Sequence, residues 1–469
     1  AFWEGDPRGH TNSLVFEETD EDVNGNGKLD PGEDTDLDGV LDKPNYLPGA
    51  TKAVAEMNLA ERADALMTFY ERETHTLIAR PLRPLRERTT YAAVITRRLL
   101  DSAGKPVGSP FPWINHIAQN EDLAALADIL SADAATFGGL KLDDVAFAWT
   151  FTTASMTHDL RAVRDGLYGF GAQQHLAKEF PPDLARLYRA WDVKPSKAWE
   201  TPYTLSTETF LEINEVMDFM SMTGAHGGRL AEAGKYVDYH VLGSYNSPQL
   251  ARRVDADGRH LGYNQMTWPA DVASRKAAAR SEKVTFWLTV PRKEISARKD
   301  GKPAPVVLIG HGYTSSNFEV LVYHAFFARH GLACLSIDNV SHGLVLPKEY
   351  QAVAPMVLKA QGMGVLAEGL LANRSWDQDT DGVEDSGADF WTAYTFHTRD
   401  NVRQTTVDFM QLVRTLRSWD GKKTWPAAAD ADVDGDGQPG DIAGDFDGDG
   451  IVDVGGPDGL ITMTGSSLG

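Results

Sequence analysis

Two short apolar runs constrain the fold of this chain more than any other feature: Val306-Val307-Leu308-Ile309-Gly310 and Leu332-Ala333-Cys334-Leu335-Ser336-Ile337. Neither alternates cleanly between apolar and polar residues, so each predicts a strand buried on both faces, as happens when helices cover a parallel sheet. The segment between them, Phe318 to His330, is apolar at helical spacing. Strand, helix and strand together predict a βαβ unit and an α/β fold. Tyr239 to Tyr245 and Val284 to Val290 read as further strands of the same layer. The single cysteine, Cys334, lies inside the second run and reads as an inert core thiol; alone, it excludes an intrachain disulfide.

Residues capable of chemistry stand where such strands end. Gly459 to Thr464 runs into Gly465-Ser466-Ser467-Leu468-Gly469, a G-x-S-x-G sequence with Ser467 at its centre. Glycines beside a serine permit the sharp strand-to-helix turn that exposes a nucleophile. Val306–Gly310 runs into His311-Gly312-Tyr313-Thr314. Acyl transfer places negative charge on a carbonyl oxygen, and two preorganised backbone N–H groups stabilise it by ~3 kcal/mol each. Tyr313 and Leu468 are the residues whose N–H groups are expected to do so, with His311 and Gly312 forming the turn. The His311 side chain itself reads as a structural tie. Between these motifs, Arg399 to Leu416 predicts a helix with Val402, Thr406, Phe409, Val413 and Leu416 on one face, and Asp338-Asn339-Val340-Ser341-His342-Gly343 predicts a loop.

Taken together, the motifs between Tyr236 and Gly469 resemble the N-terminal part of a secreted bacterial lipase or esterase of the α/β-hydrolase superfamily. Ser341 stands where that family often has glycine. The resemblance implies a carboxylic ester hydrolase with Ser467 as nucleophile, the His-Gly turn after the third strand, and a lipid or small-molecule ester as substrate. It also implies that the triad acid and histidine follow the nucleophile in sequence. His311, His324, His342 and His397 all precede Ser467. The expectation is therefore a chain truncated after the nucleophile turn and inactive by itself.

Acidic loops form a second theme. Asp22, Asn24, Asn26, Gly27, Lys28 and Glu33 fill every specified position of D-x-[DN]-x-[DN]-G-x5-E. Three side-chain oxygens, the Lys28 carbonyl and a bidentate Glu33 suit one hard cation such as Ca2+. Asp34, Asp36, Asp38 and Asp42 begin a repeat that reaches Asn45 at its twelfth position. Asp377, Asp379 and Asp381 start in the same way, as do Asp445, Asp447 and Asp449; Asp430, Asp432, Asp434, Asp436 and Asp441 make a further loop. These resemble thrombospondin type 3 or dockerin-like repeats, which implies structural calcium; the competing reading is a solvated acidic linker. Loops tuned to millimolar calcium predict an extracytoplasmic location, secreted or on the outer surface of a bacterium.

The remaining organisation follows from composition and punctuation. Residues 1–49 are an acidic calcium-loop segment. Residues 50–155 alternate as strands around a helix at Asn120 to Phe137, and resemble an Ig-like module and the N-terminal domain of virulence-factor-type lipases. Residues 156–235 read as a helical linker layer, and 236–469 as the hydrolase sheet with acidic insertions near 377–389 and 430–458. The fold class is thus α/β, a partial α/β-hydrolase sheet preceded by a mostly β Ig-like domain and a helical layer. The net charge of -22 excludes nucleic acid as a partner. No run reaches the ~18 apolar residues of a transmembrane span, so surface attachment would be through an N-terminal signal or lipid anchor. The alternative function is a calcium-dependent surface interaction or adhesion protein with an inactive hydrolase-like domain.

Overall fold

The computed structural model describes residues 20–34, 41, 52–53, 56–58, 68–71, 76–79, 85–135, 137–155, 157–193, 201–219 and 232–469, with backbone alone for 68–71, 76–79 and 214–219. Asp36, Asp38, Asp42 and Asn45 lie outside the described residues. Chain contacts divide the molecule into two units, Ala1–Ser155 and Met156–Gly469.

In the first unit, β1 (Thr68–Glu71) pairs antiparallel with β2 (Thr76–Ala79), and β3 (Thr90–Thr96) with β4 (Val145–Thr152). Helix α1 (Leu126–Ala132) places Leu126 and Leu130 against Val145 and Ala148 of β4. The helix is shorter than the expected 120–137. It ends at Asp133, whose φ of -133° is no longer helical, and Gly138 and Gly139, with φ of 61° and 71°, turn the chain back toward β4. Among the described residues these four strands are the sheet content of the unit.

The second unit begins with α2 (His158–Leu167), followed by β5 (Leu184–Tyr188), β6 (Leu205–Ser206) and α3 (Thr207–Phe219). Here the structure corrects the sequence reading. Segment 156–235 is not a helical layer, because β5 and β6 both pair antiparallel with β7 (Val237–Gln249) and belong to the main sheet. Pro181-Pro182 ahead of β5 and Arg186 inside it mask the strand pattern.

The sheet continues through β8 (Arg280–Pro291), β9 (Val306–Gly310), β10 (Ala333–Ile337) and β11 (Ile461–Gly465), in the spatial order β11-β9-β10-β8-β7-β5. β9 is parallel to both β10 and β11, whereas β8 runs antiparallel to its neighbours β7 and β10. The sheet is mixed, covered by helices and of α/β type. Helix α4 (Val320–Ala328) joins β9 to β10, completing the expected βαβ unit. Beyond β10 come α5 (Val353–Ala360), α6 (Gly364–Leu370) and the long α7 (Thr395–Arg417).

Strands β9 and β10 are buried on both faces, in keeping with their unbroken apolar runs, whereas the edge strand β11 is largely exposed. Val306 and Leu308 point into a core shared with Phe409, Leu412 and Leu416 of α7; Val307, Ile309 and Cys334 point into another with Val320, Leu358 and Leu366. Truncating one such side chain, as in Leu308→Ala, removes ~2–5 kcal/mol.

Helix α7 keeps Phe409, Val413 and Leu416 of the expected apolar face against the core but departs from it elsewhere. Val402 is exposed, while Asn401, Gln404, Asp408, Gln411 and Thr415 are buried at helical spacing. These groups satisfy backbone at the sheet margin. Gln404 Nε2 donates to Pro248 O (2.8 Å), Gln411 Nε2 donates to Pro181 O (3.0 Å), and Asp408 accepts from Ser247 Oγ (2.6 Å) and Arg374 Nη1 (2.7 Å). Among the described residues no helix is long and apolar enough to cross a membrane.

Candidate functional site

The parallel register carries β9 and β11 to a common end. Ile461 faces Val306, and Gly465 faces Gly310. Beyond that pair the Ser466 N–H donates to Gly310 O (3.2 Å) and the Gly469 N–H to Ser466 O (2.9 Å), closing a tight turn. The glycines are there because backbone meets backbone. A Cβ on Gly465 would stand 2.1 Å from the Gly469 carbonyl carbon, and one on Gly469 would stand 2.0 Å from Gly310 O. Ser467, at the apex, has φ of 53°, a left-handed conformation costly for a residue with a Cβ. Its side chain is exposed.

Directly alongside lies the His311-Gly312-Tyr313 turn. A Cβ built on Gly312 would be 3.7 Å from Ser467 Cβ, so the two motifs are in contact although these residues stand 155 positions apart in the sequence. Among the described residues neither the Tyr313 nor the Leu468 N–H donates a hydrogen bond, whereas the Gly312 N–H donates to Glu319 Oε2 (2.7 Å). Thr314 and Ser341, with φ of 61° and 65°, repeat the left-handed geometry of Ser467 just past the ends of β9 and β10. Such outliers cluster where surrounding structure fixes a loop for function.

The His311 ring is fully buried, and both its nitrogens are used. Nε2 accepts from the Asn339 N–H (2.9 Å), which leaves Nδ1 to donate to Gly312 O (2.8 Å). Burial holds its pKa down at about 4, so it ties the two loops together as a neutral ring. Asp338 is also buried and accepts from the Asn317 N–H (2.8 Å); burial pushes its carboxyl up to about 7. His342 stacks edge-on near Tyr313 (ring centroids 5.9 Å), and its Nδ1 donates to Val340 O (2.8 Å). With Phe390 and the exposed Trp391 it forms an aromatic wall beside the turn. His397 hydrogen-bonds Met266 O and Asp389 O, and His324 lies in the core beside His240.

The acidic loops share one hydrogen-bond register. In each, an Asp Oδ2 accepts from the glycine N–H five residues on: Asp22 from Gly27 (2.9 Å), Asp377 from Gly382 (2.9 Å), Asp432 from Gly437 (3.2 Å) and Asp445 from Gly450 (2.8 Å). The third position accepts from the fifth: Asn24 from Asn26, Asp379 from Asp381, Asp434 from Asp436 and Asp447 from Asp449. The fifth position accepts in turn from the seventh, Asn26 from Lys28, Asp381 from Val383, Asp436 from Gln438 and Asp449 from Ile451.

Carboxylate oxygens of Asp377, Asp379 and Asp385 lie within 4.8 Å of one another, as do those of Asp432, Asp434 and Asp441, and of Asp445, Asp447 and Asp453. Asp385 and Asp453, eight residues after the opening aspartate, are members that the motif comparison omitted. Asp430 lies outside its cluster, with its carbonyl accepting from Tyr203 Oη. In the first loop Glu33 accepts from the Asn24 and Asp30 N–H groups (3.3 and 2.9 Å), and the side-chain amides of Asn24 and Asn26 donate to Asp30 Oδ2. Asp34 follows directly.

Arg298 distinguishes the last loop. Almost fully buried, its guanidinium donates to Asp453 Oδ1 (2.8 Å), Asp447 Oδ2 (2.6 Å) and Asp238 Oδ2 (3.1 Å), and it lies over the Tyr239 ring. No spacing rule links residue 298 to a loop 150 residues later, so only the fold brings it there.

Among known families and curated proteins, no match to this chain is found. Two solved structures are similar over part of it. One is a PEG-bound cold-adapted esterase from an Arctic intertidal metagenomic library, with 15% identity and a TM-score of 0.12, covering 27% of this chain and 47% of that one. The other is an acetyl xylan esterase from Paenibacillus sp. R4, with 18% identity and a TM-score of 0.12, covering 34% of this chain and 38% of that one. The chain thus spans less than half the length of either. Likeness at that level says nothing further of this chain.

Proposed function

We propose that this chain carries the nucleophile and the oxyanion-stabilising turn of a carboxylic ester hydrolase of the α/β-hydrolase superfamily, with Ser467 as nucleophile. The observation that carries the reading is the strained, exposed Ser467 at the end of a parallel strand, packed against the Gly312 turn. The Tyr313 and Leu468 N–H groups serve as the oxyanion donors; both are free of partners among the described residues. His311 acts through its two hydrogen bonds, holding the turn rather than moving a proton. It is not assigned the base, nor are His324, His342 or His397, whose contacts belong to the core and its loops. The substrate is a lipid or small-molecule ester.

Calcium in the acidic loops has a structural role in this reading. The fit rests on three clusters of convergent carboxylate oxygens and on the shared register of all four loops. The Asp377, Asp432 and Asp445 loops would each hold an ion through three carboxylates, and the Asp22 loop through Asp22, Asn24, Asn26, the Lys28 carbonyl and Glu33. The ion neutralises crowded charge and takes no part in ester cleavage. An extracytoplasmic location and an Ig-like relationship for residues 50–155 belong to the same proposal.

The test is turnover of p-nitrophenyl esters by the native protein. Ser467→Ala should lower kcat by ~10^4-fold or more with the fold intact. Turnover unchanged in Ser467→Ala would remove the assignment.

A further inference from the structure

On the face of the sheet covered by α5 and α6 lies a cavity of about 220 Å³ lined by apolar side chains alone. Its floor includes Leu242 of β7 and Trp287 of β8, and its outer wall includes Ala354 and Leu358 of α5. The one polar atom these residues bring, Trp287 Nε1, already donates to His240 Nδ1 (3.1 Å) and points its hydrogen into the core. Two further wall residues, Phe318 and Leu344, come from the loops that build the site. Phe318 precedes Glu319, whose carboxylate holds the Gly312 N–H, and Leu344 follows the His342-Gly343 segment beside Tyr313.

Protein interiors seldom leave such space empty, because every void forfeits contacts on its walls. A cavity with no hydrogen-bonding group does not hold ordered water, but it accepts apolar ligands: ~150 Å³ is enough for benzene. By that scale about 220 Å³ accommodates roughly eight or nine carbons. No charged or free polar side chain lines it to receive a carboxyl or ester head, so that end of a ligand has to remain at the mouth.

We propose that this cavity is an acyl-chain pocket selecting medium-length chains of about six to nine carbons, entered from the Phe318 and Leu344 side. It rests on the ester-hydrolase reading above and adds to it the acyl class of the substrate. Long chains exceed the volume, and acetyl groups leave the pocket empty.

Octanoate provides a test that does not depend on turnover. Calorimetry should show one octanoate bound, unchanged in Ser467→Ala and weakened tenfold or more in Ala354→Phe, where the ring fills the space; hexadecanoate should bind at least tenfold more weakly than octanoate. A thermal midpoint for Ala354→Phe at or above that of the parent establishes that the filled variant is folded. In native enzyme the ratio of kcat/KM for octanoyl over acetyl p-nitrophenyl esters should fall at least tenfold in Ala354→Phe. Leu344→Ala, which lengthens the space, should move the preferred chain upward. Absence of octanoate binding, or an octanoyl-to-acetyl ratio untouched by both variants while cleavage still requires Ser467, overturns the pocket alone. Octanoate binding alongside cleavage that survives Ser467→Ala overturns the serine assignment and leaves the pocket standing.

Discussion

Asp338 shows how one side chain couples the site to pH. Its carboxyl sits at about 7 because burial disfavours the charge, against an unfolded value near 4. A carboxyl raised in the folded state stabilises the fold below the unfolded pKa, and that contribution is lost as pH rises through the folded pKa. Asp338→Asn should therefore gain stability relative to the parent between pH 4 and pH 8, by ~2–4 kcal/mol at the upper end, with the difference vanishing below pH 4. Melts across that range measure it; a constant difference would mean that Asp338 ionises normally. Glu319 acts through geometry. It accepts the Gly312 N–H and so fixes the His311–Gly312 peptide, next to the Gly312–Tyr313 peptide whose carbonyl His311 Nδ1 holds. Glu319→Ala should lower kcat roughly tenfold, equivalent to ~1.4 kcal/mol, with little change in KM, and Glu319→Gln, which keeps an acceptor, should restore most of it. A purely structural Glu319 would instead lower thermal stability and leave kcat unchanged. The roles of these two carboxyls were not legible beforehand. Ser467, Gly312 and Tyr313 announce themselves through adjacent glycines, and Asp338 through the loop it opens, but its burial against the Asn317 N–H does not show in the sequence; Glu319 matches no spacing and matters only because the fold sets it against Gly312.

At the scale of elements, the last acidic loop differs from its relatives in carrying its own cation. Arg298 neutralises part of Asp447 and Asp453 from beneath, and those carboxylates raise its already high pKa further against the opposing effect of burial. Removing one partner from a buried ion cluster costs ~3–5 kcal/mol. Arg298→Met should accordingly lower the melting temperature of the second unit more in chelator than in calcium, because the ion takes over part of the neutralisation. An equal loss in both conditions would mean that the Asp445 loop binds no ion. The short strands β9 and β10 were readable because burial on both faces leaves unbroken apolar runs. Helix α7 was readable as a helix but not in its orientation. Beside the apolar Phe409, Leu412 and Leu416 it buries a row of amide, carboxylate and hydroxyl groups, and only the loops they satisfy explain that choice. Strand β5 was missed for a related reason: its partner β7 supplies most of the pairing information, and Arg186 breaks its apolar pattern.

For the whole molecule the dominant quantity is the charge of -22, concentrated in the four loops. Ion binding confined to the folded state raises stability by ~2.7 kcal/mol per site when calcium is present at a hundred times Kd. Chelator should lower the melting temperature of the intact protein by several degrees, and Glu33→Ala should reduce the number of calcium ions bound by one. A midpoint and an ion count indifferent to calcium would leave the loops as solvated acidic linkers. The central claim, however, is chemical, and the most direct test is to trap the acyl-transfer step on the native protein. A fluorophosphonate ester should form one covalent adduct, and peptide mass spectrometry should place it on the segment containing Ser467, with none in Ser467→Ala. An adduct on a different serine, or full ester turnover with Ser467 unmodified, would contradict the account.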